Sequence, residues 1–196
     1  FPYTPLFRSL PDGVRRVFFS DDGSTAVEVA VKMALQHHAN RGRPRRVIAA
    51  LDHAYHGDTF GTMSVSGRGV FTAPFETYLF DVHRLPDPTA GDTLAALDAL
   101  LERHGDDVAA VLVEPLLMGA GGMRMYGEEI LRAIRERTRR HDTLLIADEV
   151  LTGFGRTGEW FGAHTYSIDP DIMTMATGLS SGYQPISAIS LGPRMG

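Results

Sequence analysis

Two rhythms of apolar residues alternate along the chain. Short, nearly unbroken apolar runs are separated by longer stretches in which apolar side chains recur every three or four positions. The first run, Arg16-Val17-Phe18-Phe19-Ser20, leads into a glycine turn and predicts a strand. Residues 24–38 then carry Ala26, Val27, Ala30, Val31, Ala34 and Leu35 at helical spacing. The same alternation predicts strands at 46–51, 108–113, 144–147, 172–176 and 186–191, and helices at 59–65, 93–103 and 128–141. The helix at 128–141 is strongly amphipathic, with Ile130, Leu131 and Ile134 expected inward and its arginines in solvent. Runs as continuous as 108–113 belong to strands covered on both faces. The alternation therefore predicts an α/β fold, a mostly parallel sheet with helices on both faces. Ligands in such sheets collect where strands end at their carboxyl edges, and the polar clusters of this chain fall at those places.

Length and composition narrow the picture. With 196 residues, no internal repeat and no long linker, residues 1–196 read as a single domain with a real core. A net charge of −5 leaves no electrostatic case for nucleic acid. No stretch approaches the roughly 20 apolar residues of a membrane span, and FPYTPLFRSLPDG lacks the pattern of a signal peptide. The absence of cysteine excludes disulfides, thiolate metal sites and cysteine nucleophiles, and fits a cytoplasmic protein. Lysine occurs once, as Lys32, against eighteen arginines, so chemistry that needs a side-chain amine has one candidate. The chain opens at Phe1 and stops just after Leu191, and reads as the middle of something longer.

Four strand ends carry candidate chemistry. In SDDGSTAVEVAVKMA, Gly23 permits a tight turn, and Ser24 and Thr25 open a long helix. A helix N-terminus offers free N–H groups and a positive dipole end to a phosphate, with the hydroxyls as further donors. The competing reading is a simple helix cap. In LDHAYHGDTFG, Tyr55 and His56 precede a glycine that lets an aromatic ring lie over a flat ligand. His53 and His56 have a spacing that a metal could use, but the glycine argues against a helix carrying both, and no metal is expected. In LLIADEVLTGFGRTG, Asp148 closes an apolar strand, where a buried carboxylate needs compensation such as a protonated ring nitrogen. Asp148 and Glu149 together could instead bind Mg²⁺, or Asp148 could cap the next turn with Glu149 solvated. Glu114 stands at another strand end before a glycine-rich loop, and Thr177 follows the strand at 172–176. A phosphate cradle, a stacking aromatic and an acid for a ring nitrogen together fit pyridoxal 5′-phosphate (PLP).

FFSDDGSTAVEVAVKMA, DHAYHGDTFGTMSVSG, VEPLLMGAGGM, IADEVLTGFGRTGEWFGAH and PDIMTMATGLSSGY resemble, in order and spacing, the class III aminotransferases. YHGDTFG and RLPDP are most similar to the diaminopelargonic acid branch, and GLSSGYQPISA to the broader diamine and ω-amino acid branch. The resemblance implies a fold-type-I large domain, incomplete relative to the family, without the small C-terminal domain. It implies that Gly23, Ser24 and Thr25 hold the cofactor phosphate, and that Tyr55 stacks on the pyridine ring with His56 beside it. Asp148 would pair with the ring nitrogen, Val150 would pack on the opposite ring face, and Glu114 would lie close by. Among catalytic positions the family's Schiff-base lysine falls on Thr177, in MATGL where MAKGL is expected, and Lys32 is no substitute. The implied ligands are PLP or pyridoxamine phosphate, held non-covalently, with an amine and an oxo acid as substrates and a homodimer as the assembly. The alternative is a lysine-free relative turned to other chemistry or to a binding or scaffold role.

Overall fold

The computed structural model describes residues 10, 13, 14 and 16–195. Seven strands form one sheet: β1 (Arg16–Ser20), β2 (Val47–Leu51), β3 (His83–Leu85), β4 (Val108–Val113), β7 (Leu144–Asp148), β8 (Ile172–Met175) and β9 (Ser187–Leu191). Their order across the sheet is β1-β9-β8-β7-β4-β2-β3. The run from β3 to β8 is parallel, while β9 is antiparallel to both of its neighbours. A separate two-stranded ribbon pairs β5 (Leu117–Met118) with β6 (Arg124–Met125).

Alternate side chains of the central strands supply two cores. Ala49, Leu51, Val111, Val113 and Leu145 pack under α3 (Thr93–His104) and α4 (Glu128–Arg140), against Leu97, Leu101, Leu131 and Ile134. Ile48, Ala50, Ala110, Leu112, Leu144 and Ile146 face the other way. They meet Ala26, Val27, Ala30, Val31 and Ala34 of α1 (Gly23–Asn40). Small residues on α1 let the helix lie close to the sheet. Both faces are covered, which is why these strands lack an apolar–polar alternation.

Three expectations need correction. Helix α1 is capped by Asp22, not by Ser24 or Thr25: the Asp22 carboxylate accepts from the Thr25 N–H and the Thr25 hydroxyl accepts from the Asp22 N–H. The arginines of α4 are not all in solvent. Arg135 is buried and donates through both terminal nitrogens to Asp171, a pairing with a distant residue that helical periodicity does not reveal. Glu149 is fully buried rather than solvated: it accepts from the N–H groups of Gly162 and Ala163 and from the Thr152 hydroxyl. These bonds tie the loop after β7 to α5 (Gly162–Thr165). Since β1 runs in the same direction as β8, five strands deliver Ser20, Leu51, Val113, Asp148 and Met175 to one edge of the sheet.

Candidate active site

A cavity of about 630 Å³ opens at that edge. Its lining includes Gly23, Ser24, Tyr55, His56, Glu114, Asp148, Val150 and Thr177. Residues as far apart in sequence as Asp22 and Thr177 thus converge, with the size of a small-ligand site. Thr25 is not part of the lining.

The turn before α1 behaves differently from its sequence expectation. The Ser24 hydroxyl accepts from the N–H groups of Asp58 and Thr59, 3.0 Å each, and lies 2.9 Å from the Thr62 hydroxyl. The Thr25 hydroxyl donates to the Asp22 carbonyl and accepts from Ser20 and from the Asp22 N–H. A hydroxyl has one hydrogen and two lone pairs, so both are fully engaged. What the turn offers an anion is the main-chain N–H of Gly23 and Ser24, which have no acceptor inside the helix. A Cβ on Gly23 would stand 2.8 Å from Val150 Cγ1, so only glycine keeps this cradle open.

The next wall comes from the loop after β2. Tyr55 is 44% exposed, with its ring at the cavity and its hydroxyl donating to Asp58 at 2.9 Å. Partial burial and the neighbouring Asp58 carboxylate push the Tyr55 hydroxyl up to about 12, so it stays protonated. His56 is buried, whereas His53 is exposed, so the pair that spacing could offer to a metal is split. Gly57 has φ +122°, and a Cβ there would collide with the Ser24 hydroxyl.

The floor is acidic. Asp148 Oδ1 accepts from the Thr174 hydroxyl and the Val150 N–H, 3.1 Å each, and Oδ2 lies 2.7 Å from His56 Nδ1. Thr174 is the cross-strand neighbour of Asp148, which explains a hydroxyl inside an otherwise apolar strand. Glu114 accepts from the N–H groups of Tyr55 and Gly119. Burial raises its pKa above the ordinary carboxylate range, with His56 and the two N–H donors pulling the other way.

Thr177 stands exposed at the start of a 3₁₀ turn, Thr177–Leu179, at the rim beside Arg156. Arg156 donates to the Leu151 carbonyl and, among the described residues, is the one arginine or lysine in the lining. Lys32 is exposed on α1 and does not line the cavity. Sequence reading missed Asp22, Asp58, Thr174 and Arg156. Of these, Thr174 was detectable, because a lone hydroxyl in a buried strand needs a partner.

The family profile of the class III aminotransferases matches residues 3–193. The chain belongs to the class III aminotransferases. It is 51% identical over 191 residues to adenosylmethionine-8-amino-7-oxononanoate aminotransferase of Synechococcus elongatus, covering 93% of this chain and 45% of that protein. The same-named protein of Geobacter sulfurreducens is 43% identical, over 91% of this chain and 43% of its own length. The crystal structure of adenosylmethionine-8-amino-7-oxononanoate aminotransferase from Methanocaldococcus jannaschii superposes with a TM-score of 0.90 at 34% identity, covering 97% of this chain and 44% of that one. The chain therefore spans less than half the length of these relatives.

PLP, the cofactor this family implies, fits the residues present. The glycine-only cradle at residue 23 offers N–H groups to a phosphate. Tyr55 and Val150 both supply side chains to the lining, and Asp148 keeps a free lone pair after its three internal bonds. Among the described residues the lining holds no side-chain amine.

Proposed function

We propose that this chain is the cofactor-binding part of a PLP-dependent aminotransferase of the adenosylmethionine-8-amino-7-oxononanoate kind. In that role it acts between an amine and an oxo acid and holds PLP without a covalent bond. The observation that carries the reading is the convergence of the Gly23 turn, Tyr55, Asp148, Val150 and Thr177 on one cavity. Bound PLP supplies an aldehyde carbon that takes up an amino group and a ring that withdraws electrons from it. Gly23 and Ser24 bind the phosphate through main-chain N–H groups. Tyr55 and Val150 hold the ring plane, and Asp148 keeps the ring nitrogen protonated. Glu114 fixes the Tyr55 backbone. Arg156 adds one positive charge to the lining, a group suited to the carboxylate of an oxo acid.

Thr177 limits the chemistry. A threonine hydroxyl forms no Schiff base with the aldehyde and is a very poor base at neutral pH. General acid–base help alone is worth about 10²–10⁴-fold, so turnover is proposed to be impaired by at least that factor. Pyridoxamine phosphate, which needs no lysine to bind, suits the site equally well. Assembly as a homodimer is supported by an apolar groove of about 870 Å³ that adjoins the site through Tyr55, Gly57 and Asp58 and is lined by Phe60, Phe71 and Phe75. Light scattering measures this directly.

The decisive test is a PLP titration followed by absorbance. Reversible binding with no borohydride-trapped lysyl adduct is expected. Thr177→Lys should then give a covalent visible chromophore and restore amino transfer. If the unmodified chain does not bind PLP, the reading is wrong. If Thr177→Lys binds covalently yet remains inert toward every amine tried, the alternative of a repurposed relative is favoured.

A further inference from the structure

The part of the cavity wall that follows β7 has no regular structure to shape it. Residues 150–161 hold neither strand nor helix, yet they bring Val150, Leu151 and Arg156 to the lining. Their course is set by individual bonds, and these meet at Glu149. Glu149 Oε2 accepts from the Thr152 hydroxyl at 2.5 Å and from the Gly162 N–H at 2.8 Å, and Oε1 accepts from the Ala163 N–H at 2.7 Å. One oxygen thus joins the beginning of the loop to its end, closing it in the manner of an Ω-loop. The carboxylate is fully buried, and burial raises its pKa above the ordinary range against the pull of the three donors. So costly a position is not needed merely to cap the short helix α5, for which a neighbouring Ser or Asp would do.

Two contacts carry the shape of the loop into the cavity. Val150 stands so close to the Gly23 turn that a Cβ on Gly23 would lie 2.8 Å from Val150 Cγ1. Phe154, at φ +61°, sets its ring edge-on to Phe161 with 5.4 Å between centroids. A Cβ on Gly178 would stand 2.2 Å from the Phe154 ring. The loop therefore abuts both the Gly23 turn and the turn that opens at Thr177. The latch is itself anchored to the sheet, because the Glu149 N–H donates to the Thr174 carbonyl of β8 at 2.9 Å.

We propose that Glu149 is a positioning residue for the cavity wall: it latches residues 150–161 into a closed loop and so holds Val150, Leu151 and Arg156 where a ligand meets them. This rests on the PLP reading only for the identity of that ligand.

Two measurements test it. The first uses NMR on the chain without ligand, reading amide hydrogen exchange and the nuclear Overhauser contact between the Val150 methyls and the Gly23 Hα. Glu149→Gln keeps the size of the side chain but has a single acceptor oxygen. In it the Gly162 and Ala163 amides should exchange about tenfold faster or more, and the Val150–Gly23 contact should fade. The Val111 and Leu112 amides of β4 should be unchanged. If that variant does not fold, Thr152→Val carries the test, since it removes one donor only. A smaller shift in the same two readouts is expected, and Thr152→Ser, which returns the hydroxyl, should abolish it. Unchanged exchange overturns the proposal. Equal acceleration in β4, or faster exchange with the Val150–Gly23 contact intact, would make Glu149 a structural brace and overturn it too. The second measurement is PLP affinity, expected to fall about tenfold in Glu149→Gln, the size of one charge-assisted hydrogen bond, and to be kept in Thr152→Ser. Unaltered affinity despite a released loop would sink the positioning role. If the unmodified chain does not bind PLP, the PLP reading falls, and the NMR readouts alone decide the latch.

Discussion

At the scale of single residues, the site depends on positions where one side chain excludes all others. Gly57 is the sharpest case. Its φ of +122° lies where L side chains are strained, and a Cβ would run into the hydroxyl of Ser24. That hydroxyl organises the turn at Asp58 and Thr59, which in turn sets the direction of Tyr55. Gly57→Ala should destabilise the fold by about 1–3 kcal/mol, the usual cost of forced backbone strain, and lower PLP affinity more than tenfold. Calorimetry and denaturant titration check the two separately; unchanged PLP affinity would detach the Ser24–Gly57 contact from the binding site. Much of this was readable in sequence, since glycines beside Ser24 and Tyr55 announce close approach. The reversal of roles was not. Ser24 and Thr25 look like phosphate donors by type, but in the fold their hydroxyls are spent on the protein itself. Arg156 was hidden for another reason: in GFGRTG it reads as a loop charge, and nothing local brings it to the rim beside Thr177.

At the scale of elements, buried charge does the joining where apolar packing ends. Asp171 accepts from Arg135 on α4, from Arg194 near the end of the described chain, and from the Leu145 N–H of β7. Removing one partner from such a cluster leaves the others uncompensated, at a typical cost of about 3–5 kcal/mol. Asp171→Ala should show that loss in urea unfolding. A loss below 1 kcal/mol would mean that the arginines find other partners. This cluster also marks where pattern reading stops. The interior strands at 108–113 and 144–148 are long, apolar and unambiguous, and α1 and α4 declare themselves by period. The three residues of β3 and the two-residue ribbon strands β5 and β6 are too short to carry a period. Residue 135 falls beside the apolar stripe of its helix, and its partner lies 36 positions away.

At the scale of the whole molecule, stability is linked to pH through a histidine held in the core. His38 on α1 is buried and hydrogen-bonds the Ala109 carbonyl of β4 through Nε2. Burial is the main cause of its lowered pKa, with the nearby Arg45 adding to it against the opposing Ala109 bond. The unfolded chain therefore takes up a proton before the folded one does. The stability His38 contributes is complete above its ordinary value of 6.5 and is lost as pH falls through the lower folded value. His38→Gln keeps a donor for Ala109 without titrating, so its melting temperature should fall less than wild type between pH 7.5 and 5.5. Parallel curves would assign the acid sensitivity elsewhere, with His37 and His83, also lowered by burial, the first to try. The scarcity of lysine reaches the whole molecule too. With its one ε-amine exposed on α1 and outside the pocket, a succinimidyl dye aimed at side chains would mark a single spot on the helical flank. Fluorescence from that spot could follow ligand arrival at the sheet edge while the pocket itself stayed chemically untouched.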